Sequence, residues 1–358
     1  MNEGQAVQLG PVQLGTLIEA MVAKQQPLLI TGQPGIGKSD IVAQVAKRMG
    51  VAHKIYHPAV SDPTDFKGVC WPNVATQRAD ILPLTDLAEL LDAKEPTIAN
   101  FEDLGQAPRS VQAPFMQLMR ARRLGPFRVP ECVTFIGTTN RRTDRAGVEG
   151  LLEPVKSRFA SIVELVPKLE DFLLFWYAGN RSADVAGFIR MRPDLLCKFD
   201  PSNDMGQSPL PRTWEHVDTL LSMKLPGDVE VAAVCGAVGV GAGGEFISYV
   251  KVARELFDLD EAIKHPKTAP IPETPSALYA TVAGMAYRAT PDNFENIVVY
   301  AERLRTGDKG TKKKNGVFGV LLVLDSWRRN NEIGAHPAFD QVVKGELGKL
   351  IRGQACEG

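Results

Sequence analysis

"TGQPGIGKS", residues 31–39, sets three glycines, a lysine and a serine between two segments of different periodicity. It follows "PLLI" (27–30), which reads as a short buried strand. It precedes "SDIVAQVAKRMG" (39–50), where Ile41, Val42, Val45 and Ala46 recur at helical spacing and Gly50 stands where a helix would end. Strand, glycine-rich turn and helix together make a phosphate-binding α/β unit. Gly32, Gly37, Lys38 and Ser39 fit the pattern GxxxxGK[ST] without deviation. The glycines let backbone N–H groups turn inward around phosphate oxygens, Lys38 reaches the β and γ phosphates, and Ser39 ligates Mg²⁺. The expected nucleotide site is therefore Gly32, Gln33, Pro34, Gly35, Ile36, Gly37, Lys38, Ser39 and Asp40, with ATP and Mg²⁺ as its ligands.

"VQLGTLIEAMVAK" (12–24) predicts a helix ahead of the loop. Behind it, "HKIYHPAV", "TIANF", "CVTFIGTTN" and "ASIVELV" predict further strands, and "SVQAPFMQLMRAR" (110–122) a helix. Strands alternating with helices over about 170 residues argue a parallel sheet covered on both faces. Beyond "VPKLED" the pattern becomes helical, through "DFLLFWYAG", "TWEHVDTLLSM", "EFISYVKVARELF", "ALYATVAGMAYRA" and "ENIVVYAERLR". The fold class expected is α/β, a P-loop domain whose parallel sheet is wrapped by helices, followed by a helical lid and a mostly helical C-terminal extension. The expected boundaries are 1–168, 169–225 and 226–358.

"NFEDLGQAP" (100–108) ends the predicted strand "TIANF" with two adjacent acids, Glu102 and Asp103. A P-loop enzyme needs a carboxylate on a neighbouring strand for the Mg²⁺ shell, and a second acid to polarise the attacking water. A divalent ion beside the pair neutralises their repulsion. The plain alternative is a solvated turn.

At this point the chain resembles the AAA+ ATPases and, within them, is similar to the MoxR group. "GQPGIGKS" matches Walker A and "FEDLGQAP" lies where a Walker B segment hDExxxAP stands, with "SVQAPFMQLM" like the helix that follows it. "FIGTTN" ends in Asn140 at the sensor 1 position. "TDRAGVEGLLEPVKSRF" leads to Arg158 at the arginine-finger position, and "LPRTWEHV" gives Arg212 at sensor 2. The resemblance covers residues 12–220. It implies that Asp103, Glu102, Asn140 and Arg158 are catalytic, that Ser39 and Glu102 hold the metal, and that Arg212 reaches the nucleotide of its own subunit. Each has a bland reading beside it: turn chemistry for Asn140, a surface ion pair for Arg158, a helix-start salt bridge for Arg212. Arg141, Arg142 and Arg145 compete for the finger role.

One feature departs from the family, whose order is Asp then Glu. Here Glu102 falls on the metal position and Asp103 on the base position, each one methylene from the usual length. A shift of one residue would instead make Asp103 the metal acid and put Leu104 where a base is wanted. The resemblance implies a ring, expected to be a hexamer, because the finger acts across a subunit boundary. It also implies a protein partner remodelled or activated by the ring, in this group often one carrying a von Willebrand factor A domain. The swapped acids leave open a scaffold that binds ATP and barely hydrolyses it. A DNA-acting ring is a further alternative.

Composition narrows the rest. A formal charge of -1 with 44% hydrophobic and 23% charged residues gives no support for nucleic-acid coating or membrane-surface binding. Five scattered cysteines without a CxxC pair argue against a disulfide frame or zinc site and point to the cytoplasm. The N-terminus lacks a signal-peptide pattern and no apolar run reaches spanning length. "GVGAGG" (239–244) fits GxGxxG, but it sits in the helical half, where close helix packing explains it better than a dinucleotide. "KGTKKKNG" reads as a solvated basic loop rather than a nucleic-acid contact. "SDPTDFKGV" resembles a loop that MoxR proteins carry after the second strand, which implies a pore-facing loop; the bland reading is a plain turn.

Overall fold

The computed structural model describes residues 6–124, 126–144, 150–202, 205–307 and 315–348, and the chain divides into two compact units, Met1–Lys168 and Leu169–Gly358. Among the described residues, unit 1 contains ten strands: β1 Val7–Leu9, β2 Leu28–Thr31, β3 Ala52–Tyr56, β4 Val69–Asn73, β5 Arg78–Leu82, β6 Thr97–Phe101, β7 Arg123–Leu124, β8 Phe127–Arg128, β9 Val133–Thr139 and β10 Ser161–Leu165. Six of them form an all-parallel sheet in the order β1-β10-β2-β9-β6-β3. The three central strands read as unbroken buried runs, because helices cover both faces: all five residues of β6 and all seven of β9 are buried. One face carries Leu28, Ile30, Ile98 and Ile136. The other joins a core of Leu29, Phe101, Leu104, Phe115, Phe135 and Phe159.

The sheet expected from the sequence is present, with three differences of detail. β1 adds an edge strand beside β10, and three residues with mostly exposed side chains give no burial signal to read. β3 stops at Tyr56, since Pro58 opens a 3₁₀ turn instead of continuing the ladder. The helix expected over 110–122 is broken into Arg109–Gln112 and Phe115–Ala121, with Pro114 at the break, where its ring cannot donate to the preceding turn. "SDPTDFKGV" forms a helical turn, Pro63–Lys67, capped by the Asp62 carboxylate and leading into an antiparallel hairpin of β4 and β5. That hairpin is exposed along nearly its whole length, which is why alternation of burial could not announce it.

Unit 2 is helical, as its sequence leads one to expect. One core gathers Trp176, Phe188, Trp214, Phe246 and Tyr249, and a second gathers Met285, Phe294, Ile297, Tyr300 and Leu322. "GVGAGG" opens the helix Val240–Arg254 directly after the helix Gly227–Val238. A Cβ on Gly243 would lie 2.7 Å from the Cys235 Cα, so the glycine serves close helix packing. The basic loop at 308–314 and Cys356 lie outside the described residues. Among the described residues no helix is long and apolar enough to cross a membrane.

A buried ion pair links the two cores. Arg190, on the helix Ala183–Met191, meets Asp325, on Gly316–Arg329, at 2.6 Å, with 6% and 1% of the side chains exposed. Burial works against the Arg190 charge, but Asp325, Tyr177 and Glu170 outweigh it and hold the guanidinium above the ordinary arginine value. Removing one partner strands a charge, whereas removing both does not. Asp325→Ala is therefore expected to cost about 3–5 kcal/mol in chemical denaturation, and the double change Arg190→Met with Asp325→Leu about nothing.

Candidate functional site

The site grows from the C-terminal ends of β2, β6 and β9, neighbours in the sheet in the order β2-β9-β6. After Thr31 the chain turns at Gly32, whose φ is +154° and where an added Cβ would meet Ile36 Cδ1 at 2.7 Å and the Leu165 carbonyl at 2.9 Å. The loop Gly32–Gly37 then closes onto the helix Lys38–Met49, with Gly37 at its N-cap in the left-handed region (φ 90°, ψ 23°). Lys38, Ser39 and Asp40 form the first turn, where unpaired N–H groups and the helix dipole favour an anion.

Lys38 is 8% exposed. Its Nζ donates to the carbonyls of Gly32 (3.0 Å) and Gln33 (2.8 Å) and to Asn140 Oδ1 (2.7 Å). Asn140 follows the last residue of β9, and its Nδ2 donates to Asp103 Oδ1 at 3.4 Å. Gln106 Nε2 donates to the same oxygen at 3.0 Å. One chain of hydrogen bonds thus runs from the glycine loop through Lys38 and Asn140 to Asp103.

The two acids diverge. Glu102 still belongs to the ladder, its N–H donating to the Tyr56 carbonyl at 2.8 Å, while Asp103 turns into the left-handed region (φ 52°, ψ 34°). Glu102 Oε1 accepts from Asn100 Nδ2 at 3.4 Å and its Oε2 lies 3.7 Å from His57 Nδ1. His53, on β3, has a lowered pKa because burial disfavours its cation, an effect the nearby Glu102 charge opposes. Leu104 is fully buried in the core. In the shifted register, Asp103 would be the metal acid and the base position would hold this core leucine.

Among the finger candidates, Arg141 is engaged by Asp144 at 2.8 Å and Glu164 at 3.0 Å, and its pKa is raised chiefly by the Asp144 hydrogen bonds against the opposing effect of burial. Arg142 is exposed in the following 3₁₀ turn, and Arg145 lies outside the described residues. Arg158 is half-buried, two residues after the short helix Glu153–Lys156, and donates to the Pro154 carbonyl. Arg212 is an exposed residue in the first turn of the helix Pro211–Ser222 in unit 2. A cleft of about 510 Å³ at the strand ends includes Asn140, Arg141, Thr31 and Glu164 in its wall.

The residues present suit a triphosphate with Mg²⁺. The Gly32 position leaves no room for a side chain, the Lys38 ammonium and helix N-terminus supply the positive field, and Ser39 and Glu102 offer the oxygen donors that Mg²⁺ takes beside substrate phosphates. No cluster of three or more His, Cys, Asp or Glu able to hold a metal occurs among the described residues. Sequence reading overlooked Asn100 and Gln106. The signal available for the first was an amide inside the apolar run "TIANF"; the second had none.

Residues 27–159 match the AAA domain (dynein-related subfamily). Midasin of Giardia intestinalis is 24% identical over 172 residues, 46% of this chain and 3% of the relative. The Holliday junction branch migration complex subunit RuvB of Picosynechococcus sp. is 30% identical over 156 residues, 42% of this chain and 39% of the relative. This chain therefore spans well under half of either curated relative. Among solved structures, NtrX of Brucella abortus in complex with ATP has a TM-score of 0.40 at 14% identity, covering 77% of this chain and 63% of that one. The Thermotoga maritima RuvB branch migration motor has a TM-score of 0.37 at 14% identity, covering 77% and 80%. Unit 1 has the P-loop fold of a six-stranded parallel sheet flanked by helices, and residues 27–159 within it match the AAA domain family.

The crowding at Gly32 yields a direct expectation. Gly32→Ala should force the loop to shift and lower stability by about 1–3 kcal/mol, with loss of binding of a fluorescent ATP analogue, whereas Gly227→Ala, in open space, should change neither.

Proposed function

We propose that this chain is an ATP hydrolase that assembles as a ring and uses nucleotide turnover to remodel or activate a partner protein. The observation that carries the reading is the hydrogen-bonded line from Lys38 through Asn140, at the end of β9, to Asp103, just beyond the end of β6, which ties the phosphate loop to an acid across the intervening strand. In this reading the backbone N–H groups of Gly35 to Ser39 and the Lys38 ammonium bind the β and γ phosphates. Ser39 and Glu102 would hold Mg²⁺, which supplies neutralisation of phosphate charge when bound. Asn140 orients a water and Asp103 accepts its proton as the water oxygen bonds to the γ phosphorus. The bond from that phosphorus to the bridging oxygen breaks and ADP leaves with the electron pair. Arg158, from a neighbouring copy, would stabilise the charge spreading over the transferred group, and Arg212 would reach the nucleotide from the lid, residues 169–225.

The ring, expected to be a hexamer, follows from the finger's action across a boundary. Resemblance to the MoxR group supports a protein partner, including one with a von Willebrand factor A domain, and the extension 226–358 as the place where it is chosen. Two other readings have an observation each. The Glu102–Asp103 order favours a nucleotide-gated scaffold of low turnover. The match to RuvB over 42% of the chain favours a DNA-acting ring, against which stands the charge of -1.

Steady-state hydrolysis with Mg²⁺ tests the reading. Wild type should turn over, and Asp103→Asn should bind ATP while losing about 10²–10⁴-fold in kcat. Arg158→Ala mixed with Asp103→Asn should recover activity, since each subunit type supplies what its neighbour lacks. ATP binding without turnover in wild type would leave the scaffold. Tight, salt-sensitive binding of duplex or junction DNA would move the assignment to the DNA-acting class.

A further inference from the structure

We propose that the side-chain amides of Asn100 and Gln106 are positioning residues, one for each carboxylate, that make the inverted Glu–Asp order of the acid pair workable. The inference rests on the nucleotide site proposed above and deepens it.

Asn100 lies in the centre of the sheet, fully buried, with Ile55 of β3 and Ile136 of β9 as its register partners. Packing alone would put an apolar residue there. Its Nδ2 lies 3.4 Å from Glu102 Oε1, and its Oδ1 is buried without a hydrogen-bond partner. Gln106 repeats the arrangement: Nε2 donates to Asp103 Oδ1 at 3.0 Å while Oε1 is buried without a partner. A buried acceptor left unpaired is destabilising, so a leucine at either position would avoid a penalty the amide incurs. Stability therefore does not explain these two residues. What they share is an N–H aimed at one acid each.

The geometry of the pair says why holding is needed. Residues i and i+2 of a strand face the same way, so Asn100 stands beside Glu102 and can tether a carboxylate on an arm one methylene longer than an aspartate's. Asp103 occupies a left-handed backbone position, φ 52°, which a short Asp tolerates better than a longer, unbranched acid does. The inversion thus suits the backbone, and it leaves the base short and the metal acid long. Gln106 and Asn140 both donate to Asp103 Oδ1, which fixes the carboxylate and turns Oδ2 over to a water. Gln106 is placed to do this by the 3₁₀ turn Leu104–Gln106, closed by its own N–H to the Asp103 carbonyl at 2.9 Å.

The test uses the full chain with Asn100→Leu and Gln106→Leu. Three quantities are read: thermal melting, Mn²⁺ affinity in the presence of ADP by electron paramagnetic resonance, and kcat and KM for ATP. Both variants should melt at or above the wild-type temperature. Asn100→Leu should weaken Mn²⁺ about 10-fold at unchanged ADP affinity, the size typical of losing an outer-shell partner. Gln106→Leu should leave Mn²⁺ affinity alone and lower kcat about 10-fold with KM unchanged. In a double-mutant cycle, Glu102→Asp should shrink the Mn²⁺ penalty of Asn100→Leu, because the shorter acid no longer needs that tether. Lower melting with Mn²⁺ affinity and kcat unaltered would make the amides merely structural and overturn the proposal. So would an Asn100→Leu penalty that is the same with Glu or Asp at position 102. Wild type that binds no ADP with Mn²⁺ would overturn the nucleotide reading itself, and this inference with it. Wild type that binds but does not hydrolyse would sink only the hydrolytic reading, and the Mn²⁺ series would still decide the role of Asn100.

Discussion

A lysine ammonium with 8% of its surface exposed is the constraint around which unit 1 is arranged. Burying a charge is costly unless its donors are met, and Lys38 meets the carbonyls of Gly32 and Gln33 and the amide oxygen of Asn140. Each partner comes from a fixed place. The two carbonyls require the loop to fold back over the helix start, which the conformations of Gly32 and Gly37 permit. Asn140 requires β9 to lie beside β2 and to end level with the loop, which the register Thr31 opposite Thr139 provides. The loop, the central strands and Asn140 are thus parts of one solvation problem.

The same arrangement gives the acids their separate surroundings. Glu102 completes the ladder from β6 toward Tyr56 and keeps company with Asn100 and His57, while Asp103 leaves the sheet in a left-handed turn and joins Asn140 and Gln106. Adjacent in sequence, they are kept apart by a single backbone reversal. Two like charges side by side then cost less than their spacing in the chain suggests, since each faces its own set of N–H donors or a potential cation.

Unit 2 solves a different problem. Its helices enclose two cores, and Arg190 with Asp325 spans from one to the other at the cost of burying both charges. Such pairs are poor sources of stability relative to apolar packing, so the pair's value lies in fixing how the helices Ala183–Met191 and Gly316–Arg329 meet.

The parts of the fold whose physics is local can be read along the chain. A loop needing positive φ must have glycine at Gly32 and Gly37, buried parallel strands must be continuous apolar runs, as in "PLLI" and "CVTFIGTTN", and amphipathic helices must repeat at 3.6 residues. From these the phosphate loop, the strand carrying the acids, the strand ending in Asn140 and the helical second half were all legible. Where pattern carries no burial signal, as in the exposed hairpin of β4 and β5 or the edge strand β1, the sequence was silent. That Arg141 is taken by Asp144 and Glu164, that Leu104 is core, and that Asn100 and Gln106 attend the two acids emerges from the folded chain alone. Those facts depend on which side chains from distant strands and turns come within hydrogen-bond reach, and no periodicity along the chain encodes that.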